Sequence, residues 1–516
     1  MDVTRTFVVG LDGASWLLLE PWIEDGELPN LATLRDSGSW STSRSCLPPV
    51  TFPNWKCYSS GKDPGGFGVF WFEHVDLDAG RIETVDGTDF PTAELWDYLN
   101  EEGLRAGVVN MPTTYPPRAI DGVVVSGGPD AVSGEYRSID EGYTYPPALA
   151  ERLEAAFDYR VHPEPLLSSN DERGAEVEAI LDVLDSRFSV ALDLFEREDL
   201  DFVHVTLFYL NVLHHFFWDD EPTLRAWRLV DEWLGRLAEL EDTNLYLMSD
   251  HGSAPTSTEF YVNEWLARNG YQARTRTVED YLRPLGIDRE NALRIAKRAG
   301  VVDVLARAVP ERLQQLVPQR DGVKRGRKLE AIDLARTKAV ASGQGPIYLN
   351  PAFDVDAVAE ELIADLRAVE DERGPLFTAV HRGEDVYSGP HVDEGPEVVV
   401  AQRPGVHVND GVGGGVVRSG PDRWAAENTP HGIFVAGGPS VAARGDLGET
   451  SILDLAPTLL AGAGCDVPTD MRGEALPIFE AEPDWRRREP IELDESEAGD
   501  GADEVTERLK QLGYME

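Results

Sequence analysis

Cysteine is scarce in this chain. Its 516 residues include only Cys46, Cys57 and Cys465, none in a CxxC pair. That excludes a disulfide framework and multi-cysteine structural zinc, so a metal would have to be held by histidine and carboxylate. Lysine is also rare, at seven of the 47 basic residues. Positive charge as a whole is outweighed, with 93 acidic residues and a net charge of -46. A basic footprint for a nucleic acid duplex is therefore missing. No apolar run reaches 18 residues, so no membrane span is expected. The start, MDVTRTFVVGLDG, lacks a basic region followed by an uninterrupted apolar stretch, so no signal peptide is read and a cytoplasmic location is expected.

What is present can build a large core: 42% of residues are hydrophobic and 9% aromatic, which excludes a disordered chain. At roughly 150 residues per domain the length corresponds to about three domains, or to one large core with an insertion. The carboxylates are spread along the whole chain. Their mutual repulsion opposes compaction in dilute buffer, whereas molar salt shortens the Debye length to about 3 Å. The charge is read as adaptation to a high-salt cytoplasm.

Strand-like runs alternate with helical periodicity. Strands are expected at 5–11, 105–110, 122–126, 201–210 and 243–249, with helices at 92–100, 174–198, 222–240 and 259–269. This alternation predicts an α/β fold with a mostly parallel sheet and helices on both faces. The Arg-rich stretch 272–335 lacks strand signals and reads as a helical cap or insertion. Strands return at 338–349, 397–402 and 432–437, with a Gly-rich loop at 405–427. The expected division is a first core part at 1–271, the insertion at 272–335, a second core part at 336–480, and an acidic excursion with a docked tail at 481–516.

Sites in parallel α/β sheets form beyond the C-terminal strand ends. Asp12 follows the first strand, Asp250 and His251 follow TNLYLMS, and His214 and His215 come shortly after DFVHVTLF. Thr51, in PPVTFPNW, stands where a helix begins, a position suited to anions and to a nucleophilic hydroxyl. Taken singly, each has an ordinary reading as a turn, a helix cap or a packed histidine.

Taken together and in order, LDG, PPVTFPNWKCYSSGKDPGGFGVF, VVNMPTTYPP, HHFFW, LMSDHGS, RTKAVASGQGPIYLN, HGIFVAGGP, SILDLAPTLL and LKQLGY resemble the type I phosphodiesterase/nucleotide pyrophosphatase branch of the alkaline phosphatase superfamily. The likeness is to its archaeal and bacterial predicted phosphohydrolase/phosphomutase group. The resemblance implies an alkaline-phosphatase-like core. It also implies one metal, typically zinc, on Asp12, Asp250 and His251, with Thr51 as a nucleophile on the same ion and a phospho-threonine intermediate. TFPNWK has no C/S-x-P-x-R setting, which argues against a sulfatase.

The chain departs from the family at the second metal. His215 matches, but Asn211 stands where the family has Asp, and Asn428 where it has His, while His431 lies directly before Gly432. An amide oxygen is a weak zinc ligand. Three readings stay open: His214 and His431 substitute as ligands; the second site is weakened, leaving one metal or a harder ion such as Mg²⁺ or Mn²⁺; or the chain is a catalytically silent relative. Phe67 replaces a family histidine, VFWF at 69–72 lacks the expected phosphate-binding Asn, and Lys56 is a candidate substitute. The expected function is hydrolysis of phosphodiester or nucleotide pyrophosphate bonds in a phosphorylated small molecule. The alternative is a binding protein for a nucleotide or other anionic ligand. The oligomeric state is not readable.

Overall fold

The computed structural model describes residues 4–128, 142–164, 173–275, 329, 332–411, 415–420 and 424–493. Most of the expected helical insertion at 272–335 and the tail at 494–516 lie outside these residues.

The strand Arg5–Gly10 (RTFVVG) is apolar on both faces and sits inside a nine-stranded sheet, covered on each side as such continuous runs require. It pairs in parallel with Phe202–Thr206 on one side and Thr243–Met248 on the other. Ala106–Val109 and Gly122–Val125 continue the parallel set beyond Phe202–Thr206. Thr144–Tyr145 closes that edge antiparallel. At the opposite side His431–Gly437 runs antiparallel to Thr243–Met248, followed by Ser39–Arg44 and Gly445–Ser451. The sheet is mixed, with a parallel centre, and the fold is α/β.

The run 201–210 divides, strand to Thr206 and then the helix Phe208–Phe217. The break comes where the Leu207 amide bonds Gly10 O at 2.8 Å, ending the ladder at the site edge. The expected helix at 259–269 likewise starts as a strand, Thr258–Tyr261, before Val262–Arg268.

The strands at 338–349 and 397–402 do not join the main sheet. Ala339–Ala341, Pro346–Leu349, Val398–Gln402 and Phe377–Arg382 form a four-stranded antiparallel sheet. The helix Val355–Arg367 packs on it, and Leu362, Leu366, Phe377, Val398 and Val400 belong to a hydrophobic core separate from the main one. The chain leaves the main body along Gly252–Pro255 and returns along Ala426–Thr429, which pair antiparallel as a short stalk with Ser253 opposite Asn428. This inserted unit also touches the main body, Tyr387 donating to Leu47 O at 3.0 Å and Ser388 to Asp63 at 2.8 Å. Residues 481–493 lie along the body, Arg487–Arg488 pairing with Val467–Pro468. No helix among the described residues is long and apolar enough to cross a membrane.

Candidate metal centre and catalytic site

Gly10 and Met248 are register partners, and Leu11 N extends the pairing to Met248 O at 2.8 Å. Asp12 and Asp250 therefore leave adjacent strands at the same level, and adjacent strands are only about 4.8 Å apart. The turn after Asp12 needs Gly13 in the left-handed region, at φ 70°.

Asp12, Asp250 and His251 form a buried cluster whose donor atoms all lie within 4.8 Å of one another. Each side chain is aimed by a bond on its outer atom. Trp55 Nε1–H donates to Asp12 Oδ2 at 3.1 Å, and Gly13 N–H donates to Asp250 Oδ1 at 3.2 Å. His251 Nδ1 lies 3.0 Å from Gly252 O, an acceptor, so Nδ1 carries the proton and Nε2 presents its lone pair. The inner atoms converge, with His251 Nε2 3.2 Å from Asp250 Oδ2 and 3.7 Å from Asp12 Oδ1. Both of those oxygens are buried without a hydrogen-bond donor. Two orphaned carboxylate oxygens and an imidazole lone pair facing one point are a donor set suited to a divalent cation.

Burial sets the electrostatics. It pushes Asp12 and Asp250 above the usual carboxylate range, Asp250 further because Asp12 lies beside it. It also lowers His251 to about 3 and His215 to about 4, so both imidazoles are neutral.

Thr51 opens the helix Thr51–Ser60, and its Oγ1 lies 3.5 Å from His251 Nε2. Val50, the cap position, supplies no side-chain bond to the first turn, so the positive end of the helix is left facing the cluster. Asn54 holds the approach to this helix, accepting from Cys46 N at 2.8 Å and donating to Pro48 O and Val50 O at 2.9 Å.

Other sequence candidates are placed differently. Asn211, His215 and Asn428 meet beside the cluster: Asn211 Nδ2 lies 3.2 Å from His215 Nε2 and 3.4 Å from Asn428 Oδ1. His214, one residue away, faces Trp227, whose indole N–H donates to His214 Nε2 at 3.0 Å. His431 is not brought to the cluster. Its ring is half exposed, 3.6 Å from Glu449. Lys56 is buried and ion-paired with Glu94 at 2.8 Å, a carboxylate also bound by Ser59 at 2.8 Å and Arg118 at 3.3 Å. Sequence reasoning missed Trp55, Gly13, Asn54 and Ser253, together with Trp424, which stacks on His215 at 3.9 Å. Their common signal is proximity in sequence to a named candidate or to its strand partner.

A hydroxyl at a helix N-terminus, set beside a two-carboxylate, one-imidazole cluster at the end of a central parallel strand pair, places the molecule among alkaline-phosphatase-like α/β proteins with a metal-type donor set. More narrowly, the chain belongs to the type I phosphodiesterase / nucleotide pyrophosphatase family, whose model matches residues 6–428; this is a family of phosphoester hydrolases. Among solved structures it is similar to phosphonoacetate hydrolase from Sinorhizobium meliloti 1021 in complex with phosphonoformate, with 15% identity and a TM-score of 0.52, over 84% of this chain and 89% of that one. The same enzyme in complex with phosphonoacetate is similar at 14% identity, with the same TM-score and coverage. A search of curated protein sequences returns no match.

Proposed function

We propose that this chain is a metal-dependent hydrolase of phosphate esters, acting on phosphodiester or nucleotide pyrophosphate bonds of a small molecule in a high-salt cytoplasm. One observation carries the reading: Asp12 Oδ1 and Asp250 Oδ2, both without a hydrogen-bond donor, converge with His251 Nε2, and Thr51 Oγ1 lies 3.5 Å from that imidazole nitrogen. Asp12, Asp250 and His251 would hold the cation, with Zn²⁺ favoured by the mixed oxygen and nitrogen set and Mn²⁺ or Mg²⁺ compatible with its two carboxylates. Such an ion supplies Lewis acidity and lowers the pKa of a neighbouring hydroxyl.

The chain's own residues do the rest. The uncapped N-terminus of Thr51–Ser60 favours the anionic phosphoryl group. Thr51 Oγ forms a bond to phosphorus as the ester oxygen leaves, and the hydroxyl proton passes through water to that oxygen. Water then cleaves the phospho-threonine ester and restores the hydroxyl. Asn54 fixes where the nucleophile stands.

The test is turnover of bis-p-nitrophenyl phosphate in molar KCl with Zn²⁺, Mn²⁺ or Mg²⁺. Activity is expected in the wild type and at least about 1,000-fold less in Thr51→Ala, with the metal count unchanged. Equal rates in the two proteins would overturn the nucleophile assignment. A second reading, a catalytically silent protein binding a nucleotide or other anion, draws on the amides at Asn211 and Asn428. It predicts ligand binding with no Thr51-dependent turnover.

A further inference from the structure

Beside the Asp12 cluster the hydrogen bonds fix the imidazole tautomers and the amide orientations. His215 Nδ1 lies 2.8 Å from Ala426 O, a pure acceptor, so Nδ1 is protonated and Nε2 accepts. The Asn211 amide 3.2 Å from that Nε2 must present its NH₂ group, which leaves its Oδ1 toward Ser253 Oγ at 3.2 Å. Asn211 Nδ2 also faces Asn428 Oδ1, so the Asn428 NH₂ group points the other way. Asn428 is fully buried and its Nδ2 has no acceptor. His214 continues the chain from behind. Its Nε2 accepts from Trp227, so its proton is on Nδ1, 3.5 Å from Ser253 Oγ.

This set offers a second cation little. Asn211, His214, His215 and Asn428 carry no negative charge, and the lone pairs of His215 Nε2, His214 Nε2 and Asn428 Oδ1 already accept hydrogen bonds. Glu427, next in the chain, is committed, one oxygen accepting from the Asn428 backbone N–H at 2.8 Å and the other facing His407 Nδ1. Asp12 and Asp250 are the only carboxylates in the metal-type cluster found among the described residues. A second dication would sit close to the first with neutral ligands alone. The set nonetheless abuts the cluster: a Cβ at Gly13, on the turn that carries Asp12, would lie 2.2 Å from Asn211 Oδ1. A buried N–H without an acceptor is costly, and an anionic oxygen is the acceptor that satisfies it best.

We propose that the ground beside the Asp12–Asp250–His251 cluster is an uncharged amide pocket for one anionic phosphoryl oxygen, with Asn428 Nδ2 as its donor, and that the chain binds one divalent cation. The inference rests on the preceding reading of the first cluster. Asn428 here takes by hydrogen bonding part of the charge stabilisation that a second ion would give.

Elemental analysis of the full chain, saturated with Zn²⁺ or Mn²⁺ and dialysed in molar KCl, is expected to give one equivalent. The Asn211→Asp/Asn428→His protein is expected to give two. Calorimetry of the metal-loaded protein with inorganic phosphate is expected to show roughly tenfold or weaker binding in Asn428→Ala, with its single metal retained. If Asn428→Ala does not fold by circular dichroism, the near-isosteric Asn428→Asp, which removes the donor, replaces it. Two equivalents in the wild type, or unchanged phosphate affinity in a folded variant, would overturn the proposal. Failure of the hydrolase reading looks different, as no bound metal or no Thr51-dependent turnover, and the phosphate comparison can still be made on that protein.

Discussion

Trp55→Phe separates a metal-orienting role from a packing role. The indole N–H is 3.1 Å from Asp12 Oδ2, and both side chains are wholly buried, so water cannot replace the lost donor. Phenylalanine keeps an aromatic ring but loses the outer indole edge, Cη2 and Cζ3, that lies over Gly10, where an added Cβ would come 2.6 Å from it; that packing loss is common to the metal-free and metal-loaded states. A hydrogen bond to a charged group is worth about 1.5–3 kcal/mol, and each 1.4 kcal/mol is a factor of ten, so metal affinity should fall roughly 10- to 150-fold. The cost should depend on the metal. Without it, burial keeps Asp12 largely protonated near neutral pH, and the lost bond is a weaker one to a neutral acid. With it, the carboxylate is ionised and the full charged bond is lost. Competition with a chelator measures Kd, and urea melts with and without metal measure stability. The extra loss in the metal-loaded protein should match RT ln of the Kd ratio at saturating metal. A Kd within threefold of the wild type, or equal stability losses in the two states, would refute the orienting role.

Three more expectations follow from the same geometry. In chelator-treated protein, Asp12 is raised to about 8 and Asp250 is raised with it, while burial lowers His251, His214 and His204 to about 3 and His215 to about 4. Below about pH 6.5 those histidines gain protons on unfolding and oppose the carboxylates, so it is between about pH 7 and 8 that the folded state binds more protons than the unfolded state. Metal-free stability should therefore fall as pH rises through that window, by about 1.4 kcal/mol per pH unit for each proton involved, and urea melts showing a flat or rising trend would contradict the assignment. Lys56→Ala leaves the buried Glu94 with the Ser59 hydroxyl at 2.8 Å and the more distant Arg118 at 3.3 Å, and should cost about 3 kcal/mol in urea melts; a loss below about 1 kcal/mol would show that the pair is not structural. With a net charge of -46, the melting temperature should climb as KCl goes from 0.1 M to 2 M, and a curve flat beyond 0.2 M would remove the case for salt adaptation.

The carboxylate cluster was legible because chemistry and topology coincide there. Asp12 and Asp250 each follow an apolar β-branched run, and parallel pairing of two such runs leaves little choice about where their ends meet. The strands Ser39–Arg44 and Gly445–Ser451 were not legible. Both are polar, SWSTSR and GDLGETS, and they enter the sheet by satisfying their hydroxyls, Ser41 with Thr450 at 2.7 Å and Ser39 with Ala442 O at 2.7 Å. Those partners lie some 400 residues away, beyond the reach of any local pattern. The separate antiparallel sheet escaped for a related reason. Its strands look like those of the main sheet, and only long-range pairing assigns them elsewhere. At the site, the sequence set Asn211, His214 and His215 within five positions of one another, but it could not show that Trp227 engages the middle one. Lys56 stood out by rarity, whereas its role was set by Glu94, 38 positions on.

The stalk formed by Gly252–Pro255 and Ala426–Thr429 has an evolutionary consequence. One arm begins at the residue after His251 and the other carries Asn428, so the inserted unit is grafted between two pieces of the candidate site. The same unit rests on Leu47 and Asp63, on either side of the Thr51 helix. Insertions and exchanges of sequence between residues 256 and 425 can thus be accommodated while the Asp12–Asp250 pair stays fixed on the parent sheet. A change there also reaches the loop before Thr51 and the arm that carries Asn428 together, so the appendage and the candidate site are mechanically joined at two points.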